Sequence, residues 1–577
     1  MSIVGDPSFG LPAHVMASAA GILTDDSVTG GLDDGNDVTN NLVNVSGGEV
    51  VVAALAAHGV DVTWGIPGTH NLTIFDALGR YGIRTIAATH EQGAAYAADG
   101  YARTSRRPGV AIVTSGPAVY NAATAIAQAY SDSSPVLLIS PAMPRSLPVG
   151  GSGTGYLHEA KDQTGAMDRI AAACLHPTTH QAIADEIANA FAYFAGVRPR
   201  PVHVEIPLDL LEERGDATIV VREISPAPVP EPAVLDSVVD DLVAAERVVI
   251  AVGGGAVPAS SSVVALAELL GAPVGTSING IGVIPGDHPL SLGARLWAPP
   301  VVEAVNAADV LLIIGSELAQ SDLFYGPFAP TGRVIRVDID PGMANVNATT
   351  DAMLVGDSAV IVSQMVEAVS AKFNGVPKAV APWVSEVQAA ADALAATNGK
   401  QWLPWVAALE EALDDDAVIA TDNAMCVYYG FIQNFTAHRP ASLHFPTGFG
   451  TLGFTVPSAI GAALAAPDRQ VVGISGDGGL LFTVTELATA AAERLPIAIV
   501  VFDNSGYGEI RNEMLDRGEE PIAVAAPPRD LVILAQGLGA TALRVETPQA
   551  LTAAVLNART NPGPTVIVVP EAQREEK

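Results

Sequence analysis

Apolar positions along this chain fall into two recurring patterns. Short runs that are apolar at nearly every position, at 110–114, 136–140, 248–252, 471–475 and 497–502, predict strands buried on both faces, and 202–206 is read as the strand that closes the first domain. Between such runs, small and apolar residues recur at helical spacing, as at 50–57, 94–103, 456–465 and Val484, Leu487, Ala488 and Ala491. Parallel neighbours need a crossover element, so the repeated strand–helix alternation predicts an α/β fold of doubly wound parallel sheets. The stretch Ser46-Gly47-Gly48-Glu49 has the pattern of a capping box and predicts the start of the first helix.

The pattern also has gaps. Residues 1–44, rich in Gly, Asp, Ser and Asn, show no sustained period and predict a flexible tail. Proline recurs through 225–232 and predicts a linker, because proline propagates neither a helix nor a central strand. A second break falls at 374–382. Three α/β domains are therefore expected, at 45–224, 233–373 and 383–577. Gly253-Gly254-Gly255 after 248–252 invites a dinucleotide-binding reading but lacks the full fingerprint, and reads as a tight structural turn.

Composition narrows the partners. The chain of 577 residues carries 29 basic and 62 acidic side chains, a net charge of −33, which argues against nucleic acid and anionic membranes. Two cysteines, Cys174 and Cys426, give neither a disulfide framework nor a zinc cluster. No Lys or Arg precedes Arg80, and no apolar run is long enough to span a bilayer, so a soluble cytoplasmic protein is expected.

The candidate chemistry lies at 476–507. Gly476-Asp477-Gly478-Gly479 follows one predicted strand and leads toward a helix, and Asp503-Asn504-Ser505-Gly506-Tyr507 follows the next strand. If the two strands are parallel, Asp477 and Asn504 emerge at one carboxyl edge. Glycines admit phosphate oxygens to backbone N–H groups. The Asp477 carboxylate, the Asn504 side-chain oxygen and the Gly506 carbonyl form an oxygen shell suited to Mg²⁺.

With this interval between them, the Gly-Asp-Gly and Asx-Asn elements resemble the thiamine-diphosphate motif of the acetolactate synthase and 2-oxo-acid decarboxylase family. Asp503 departs from the usual first asparagine of that motif, while Asn504, the ligating one, is retained. Thr89-His90-Glu91-Gln92-Gly93-Ala94 resembles the family's glutamate motif. It makes Glu91 the acid against N1′ of the aminopyrimidine; without the motif, Glu91 reads as a helix-start glutamate. Gly448-Phe449-Gly450-Thr451-Leu452-Gly453-Phe454 resembles the segment that holds the cofactor bent, with the Gly450 carbonyl accepting from the 4′-amino group and Leu452 wedged between the rings.

The resemblance spans roughly 46–570. It implies a pyrimidine-binding, a central and a diphosphate-binding domain, with Pro67, Gly68, Asn121, Asn423, Gly476, Gly478, Gly479 and Tyr507 also at the cofactor. It further implies a homodimer or homotetramer with the active site at a subunit interface. Acetolactate synthases often carry FAD in the central domain; no specific signature for it stands here, and the reading leans against it.

The implied reaction is decarboxylation of a 2-oxo acid, followed either by protonation to an aldehyde or by attack on a second carbonyl. His70 and His158 are the candidate proton donors, imidazole titrating in the useful range. His158 stands where acetolactate synthases usually have glutamine. Glu513 stands where those enzymes usually have tryptophan and suits a cationic substrate end, with a solvated pairing to Arg511 or Arg517 as the alternative. Together with Thr69 and Gln163, this segment looks like the guanidino-2-oxo-acid decarboxylases. The expectation is decarboxylation of a long or cationic 2-oxo acid such as 5-guanidino-2-oxopentanoate, with acetolactate synthesis as the alternative and an inactive regulatory homologue as a third reading. Intact Glu91, Asp477 and Asn504 argue against the third.

Overall fold

Three six-stranded sheets, each parallel throughout, carry the chain. The computed structural model describes residues 41–147, 153, 155–224, 227–324 and 326–573, and residues 1–40 of the expected tail lie outside them. The chain divides into two compact units that meet in sequence at residues 226 and 227.

In the first unit the sheet runs in the order β3-β2-β4-β5-β7-β6. Its strands are β2 (Val62–Gly65), β3 (Arg84–Ala87), β4 (Gly109–Ile112), β5 (Val136–Ala142), β6 (Ala173–Leu175) and β7 (Val202–Pro207). A further pair, β1 (Asn41–Ser46) and β8 (Arg214–Thr218), forms an antiparallel ribbon outside the sheet. Residues 41–44, assigned to the tail from the sequence, belong to β1. Polar Asn41 and Asn44 concealed this strand, which holds by backbone pairing while only Leu42 is buried. Ser46 caps the helix Gly47–Ala57 as expected, its side chain accepting from the Glu49 N–H at 3.2 Å.

The second unit holds the other two sheets. The middle one comprises β9 (Val248–Val252), β10 (Val274–Thr276), β11 (Ser291–Gly293), β12 (Val310–Ile314), β13 (Arg333–Asp338) and β14 (Ala352–Val355). Alternate residues of β9 and β12 enter two different cores: Ile250, Val252, Leu312 and Ile314 pack on one side, Val249, Ala251, Leu311 and Ile313 on the other. Each such buried aliphatic side chain contributes about 1.5–3 kcal/mol, which is why these runs read as uninterrupted apolar.

The last sheet runs β16-β15-β17-β18-β20-β19. Its strands are β15 (Val418–Thr421), β16 (Leu443–His444), β17 (Val471–Gly476), β18 (Ala498–Asp503), β19 (Thr541–Arg544) and β20 (Thr565–Pro570). The parallel register pairs Gly476 with Phe502, so the residues after β17 and β18 leave the sheet at one edge.

One local expectation needs correcting. The glycine run after β17 is not a turn leading to a helix near 483: the helix begins at Asp477 (Asp477–Thr483) and resumes as Glu486–Ala492. Gly478 and Gly479 have no positive φ. Close approach demands them instead, since a Cβ on Gly478 would lie 3.0 Å from the Tyr507 ring and one on Gly479 2.9 Å from the Asp422 carboxylate. Among the described residues no helix is long and apolar enough to cross a membrane.

Candidate cofactor and active site

In the first unit the expected residues lie on the loops and helices that follow β2, β3, β4 and β5. Gly68 caps the 3-10 turn Thr69–Asn71, its N–H donating to Asn71 Oδ1 at 2.7 Å. Pro67 and Thr69 are exposed on this loop, and His70 is buried. His70 Nδ1 shares a 2.7 Å hydrogen bond with Ser115 Oγ, which in turn lies 3.3 Å from His158 Nδ1. The two imidazoles meet edge to face with centroids 5.0 Å apart. Burial pulls the His70 pKa down, and the neighbouring His158 charge adds to that. His158 holds a left-handed backbone at φ 65°, a strained geometry for a side-chain-bearing residue that presses its carbonyl against Gly116.

Glu91 is the first residue of the helix Glu91–Ser105, half-exposed, and its carboxylate accepts from Asn121 Nδ2 at 2.9 Å. Gln163, expected at the substrate, is engaged within the fold. Its Oε1 accepts from the Gly116 N–H at 2.6 Å while its Nε2 donates to Pro141 O and to Glu205 Oε1. It therefore positions the turn after β4. Behind it, Glu205 and His203 of β7 join Cys174 of β6: the thiol donates to Glu205 at 3.7 Å and lies 3.3 Å from His203 Nδ1. Burial pushes the thiol and carboxyl up and the imidazole down to about 3, so each favours its neutral form. The sequence reading anticipated no cluster at Cys174, yet polar His203 and Glu205 alternating with valine in a buried strand was a visible signal.

The metal motif of the second unit is arranged differently. Asp477 is fully buried, and its Oδ1 has no hydrogen-bond partner among the described residues; neither has Oδ1 of Asn504. The Gly506 carbonyl lies by Gly478, 3.3 Å from where a Cβ there would stand. Gly506 needs its φ of 156°, since a Cβ would strike Val524 O as the backbone bridges to Ala525. Two orphaned buried oxygens with a carbonyl beside the helix start are what a divalent cation satisfies, and the donor set fits Mg²⁺.

Two residues missed in the sequence complete this arrangement. The Arg529 guanidinium pairs with the second Asp477 oxygen and reaches Asp503 at 3.7 Å, a protein cation standing where the motif calls for positive charge. Glu571, just after β20, accepts from Asn504 Nδ2 at 3.4 Å and from Trp402 Nε1 at 3.0 Å. That bond fixes which way the Asn504 amide faces. Burial pushes the Glu571 carboxyl up to about 7.

Asn423 ties two loops together, donating to Pro446 O at 3.2 Å and Thr451 O at 2.8 Å while accepting from Tyr428 Oη. It belongs to the scaffold of the Gly448–Phe454 segment. Gly450 there has φ 71° with open space where a side chain would stand, and Leu452 is half-buried. Tyr507 is exposed beside Gly478. Glu513 is exposed on the helix Gly508–Asp516, which has no buried residue, and pairs with Arg517 at 3.7 Å, the contact that the sequence left as the alternative to a substrate role.

Comparison with known proteins finds three family models along the chain. Residues 45–166 match the thiamine pyrophosphate enzyme N-terminal TPP binding domain, 235–365 the central domain and 426–569 the C-terminal TPP binding domain. The probable 2-ketoarginine decarboxylase AruI of Pseudomonas aeruginosa is 38% identical over 517 residues, spanning 88% of this chain and 90% of that protein. Probable acetolactate synthase large subunits of Methanococcus aeolicus and Methanocaldococcus jannaschii are 30% and 32% identical, spanning 89% and 87% of this chain and 90% and 88% of theirs.

Proposed function

Because the chain belongs to the thiamine-diphosphate enzymes of the acetolactate synthase and 2-oxo-acid decarboxylase family, we propose that it decarboxylates a long, cationic 2-oxo acid, such as 5-guanidino-2-oxopentanoate, to the aldehyde. Thiamine diphosphate, when bound, supplies the carbon nucleophile and the electron sink that let CO₂ leave. Asp477, Asn504 and the Gly506 carbonyl hold Mg²⁺, and Gly476, Gly478 and Gly479 give the diphosphate a close backbone approach. Glu91 exchanges a proton with N1′ of the aminopyrimidine, with Asn121 keeping its carboxylate in place. Gly450 and Leu452 hold the rings, and Pro67, Gly68 and Tyr507 line the cofactor. The working unit is a homodimer.

One observation carries the choice of aldehyde over carboligation. His70, Ser115 and His158 form a continuous hydrogen-bonded relay, able to deliver a proton before a second carbonyl is attacked. The 38% identity to a protein named for 2-ketoarginine supports the substrate. Acetolactate synthesis is the second reading, favoured by the 30–32% identical relatives. Mass spectrometry of products from a panel of 2-oxo acids, with thiamine diphosphate and Mg²⁺ and with or without an acceptor acid, tests this. 4-Guanidinobutanal is the expected main product, and efficient acetolactate formation from pyruvate overturns the proposal.

A further inference from the structure

Beside the Gly450 segment the second unit encloses a cavity of about 190 Å³ whose wall is aromatic with a few polar groups. Trp297 and Phe324 meet edge to face on one side with centroids 6.1 Å apart, and Tyr428 and Phe445 do so on another at 6.0 Å. Three polar groups of the wall are buried without a hydrogen-bond partner among the described residues: Thr276 Oγ1, Ser321 Oγ and the Trp297 indole N–H. Thr276 and Trp297 are only 2% and 5% exposed. An unpaired buried hydroxyl or N–H costs on the order of 1–3 kcal/mol, and three in one wall point to a polar ligand.

The charge of that ligand follows from Asp322, which lines the same cavity next to Ser321 and is held by the Ile278 N–H at 2.9 Å. A carboxylate and two hydroxyl oxygens accept hydrogen bonds, and the four aromatic faces attract a cation. A planar guanidinium has only donors, in a fork that matches a carboxylate, and is weakly hydrated enough to sit among rings. The Trp297 N–H, a donor, is left for an oxygen of substrate or solvent. Asn423 and Gly450 belong to the same wall, so a ligand lodged here lies against the segment that holds the cofactor rings.

We propose that this cavity receives the guanidinium end of the substrate, with Asp322 as its counter-charge, Thr276 and Ser321 as acceptors and the two aromatic pairs as walls. The proposal rests on reading the chain as a decarboxylase of a cationic 2-oxo acid. It assigns to Asp322 the role that the sequence suggested for Glu513.

The test compares kcat/KM of the loaded enzyme on 5-guanidino-2-oxopentanoate and on 2-oxoheptanoate, a neutral acid of similar reach. Asp322→Asn keeps an oxygen for the Ile278 N–H and should lower the ratio of the two values by about 100-fold. Thr276→Val, nearly isosteric, should lower it about tenfold. Calorimetry with 5-guanidinopentanoate, which has no 2-oxo group to react, should show binding to the wild type that Asp322→Asn loses. If the wild type binds this probe through Asp322 but decarboxylates no 2-oxo acid, the proposed reaction fails and the cavity assignment stands. If the enzyme turns over the guanidino acid while Asp322→Asn loses equally on both substrates, the cavity assignment fails and the reaction stands. It also fails if Glu513→Gln erodes discrimination as much as Asp322→Asn, or if the purified protein carries a flavin that Trp297→Leu releases.

Discussion

The two candidate half-sites satisfy their polar groups in opposite ways. Around β2 and β4 of the first unit the functional side chains are partnered within the protein: His70 to Ser115, Glu91 to Asn121, Gln163 to Gly116 and Glu205. At the edge of β17 and β18 in the second unit, Asp477 and Asn504 each keep a buried oxygen without a hydrogen-bond partner among the described residues. The first arrangement is stable before any ligand arrives and can hold proton-transfer groups in register. The second leaves two buried oxygens that a divalent cation would satisfy. Groups that move protons are preorganised by hydrogen bonds, whereas groups that bind a metal are preorganised by leaving bonds unmade.

Breaking the first side should have the largest effect on chemistry. Glu91→Gln retains an acceptor for Asn121, so fold and cofactor affinity should change little. Exchange of the C2 proton of bound thiamine diphosphate, followed by NMR, should slow by about 10²–10⁴-fold. Wild-type exchange in that variant would remove Glu91 from its role. On the second side, Asp477→Ala should weaken Mg²⁺-dependent cofactor binding at least about 100-fold by calorimetry, and should leave Arg529 without its main partner. Unchanged affinity with unchanged metal dependence would overturn the site.

A pH experiment sharpens the contrast. His203 is fully buried with its pKa pushed down to about 3. The unfolded chain takes up that proton near pH 6.5 and the native protein only near 3, so protonation favours unfolding. Stability from this group is complete above pH 6.5 and declines as pH falls, by up to about 1.4 kcal/mol per pH unit. Denaturant titrations of wild type and His203→Gln should therefore converge between pH 6.5 and 4, and a constant gap between them would contradict the buried neutral imidazole. Smallest in effect, Glu571→Met should free the Asn504 amide to rotate and reduce Mg²⁺ affinity roughly tenfold. Unaltered affinity would mean that Glu571 does not orient that ligand.

Much of this was legible in the chain because long buried parallel strands leave uninterrupted apolar runs. The cores of β4, β5, β9, β17 and β18 stand where those runs predict. Edge strands were not legible: β19, half-exposed along Thr541–Arg544, needs no apolar run, since its neighbour β20 supplies the pairing. Asp477 and Asn504 could be read because they sit just beyond strand ends. Arg529 reaches the same place from a proline-flanked loop with no periodicity to announce it. Glu571 was within reach of topology, as the residue after a strand whose carboxyl end shares an edge with β17 and β18. Glu513 was legible in register only, since an amphiphilic pattern without buried positions does not say which face of the helix Gly508–Asp516 it occupies.

The β1–β8 ribbon bears on how the chain leaves the ribosome. Asn41 pairs with Thr218, so the first described strand of this unit cannot find its partner until the last strand of the unit has been translated. At ordinary elongation rates the wait is on the order of ten seconds or more. Through that interval β1 has no strand to pair with, and the arrival of Arg214–Thr218 lets the ribbon close. Vectorial synthesis thereby makes ribbon closure a late step in the assembly of this unit.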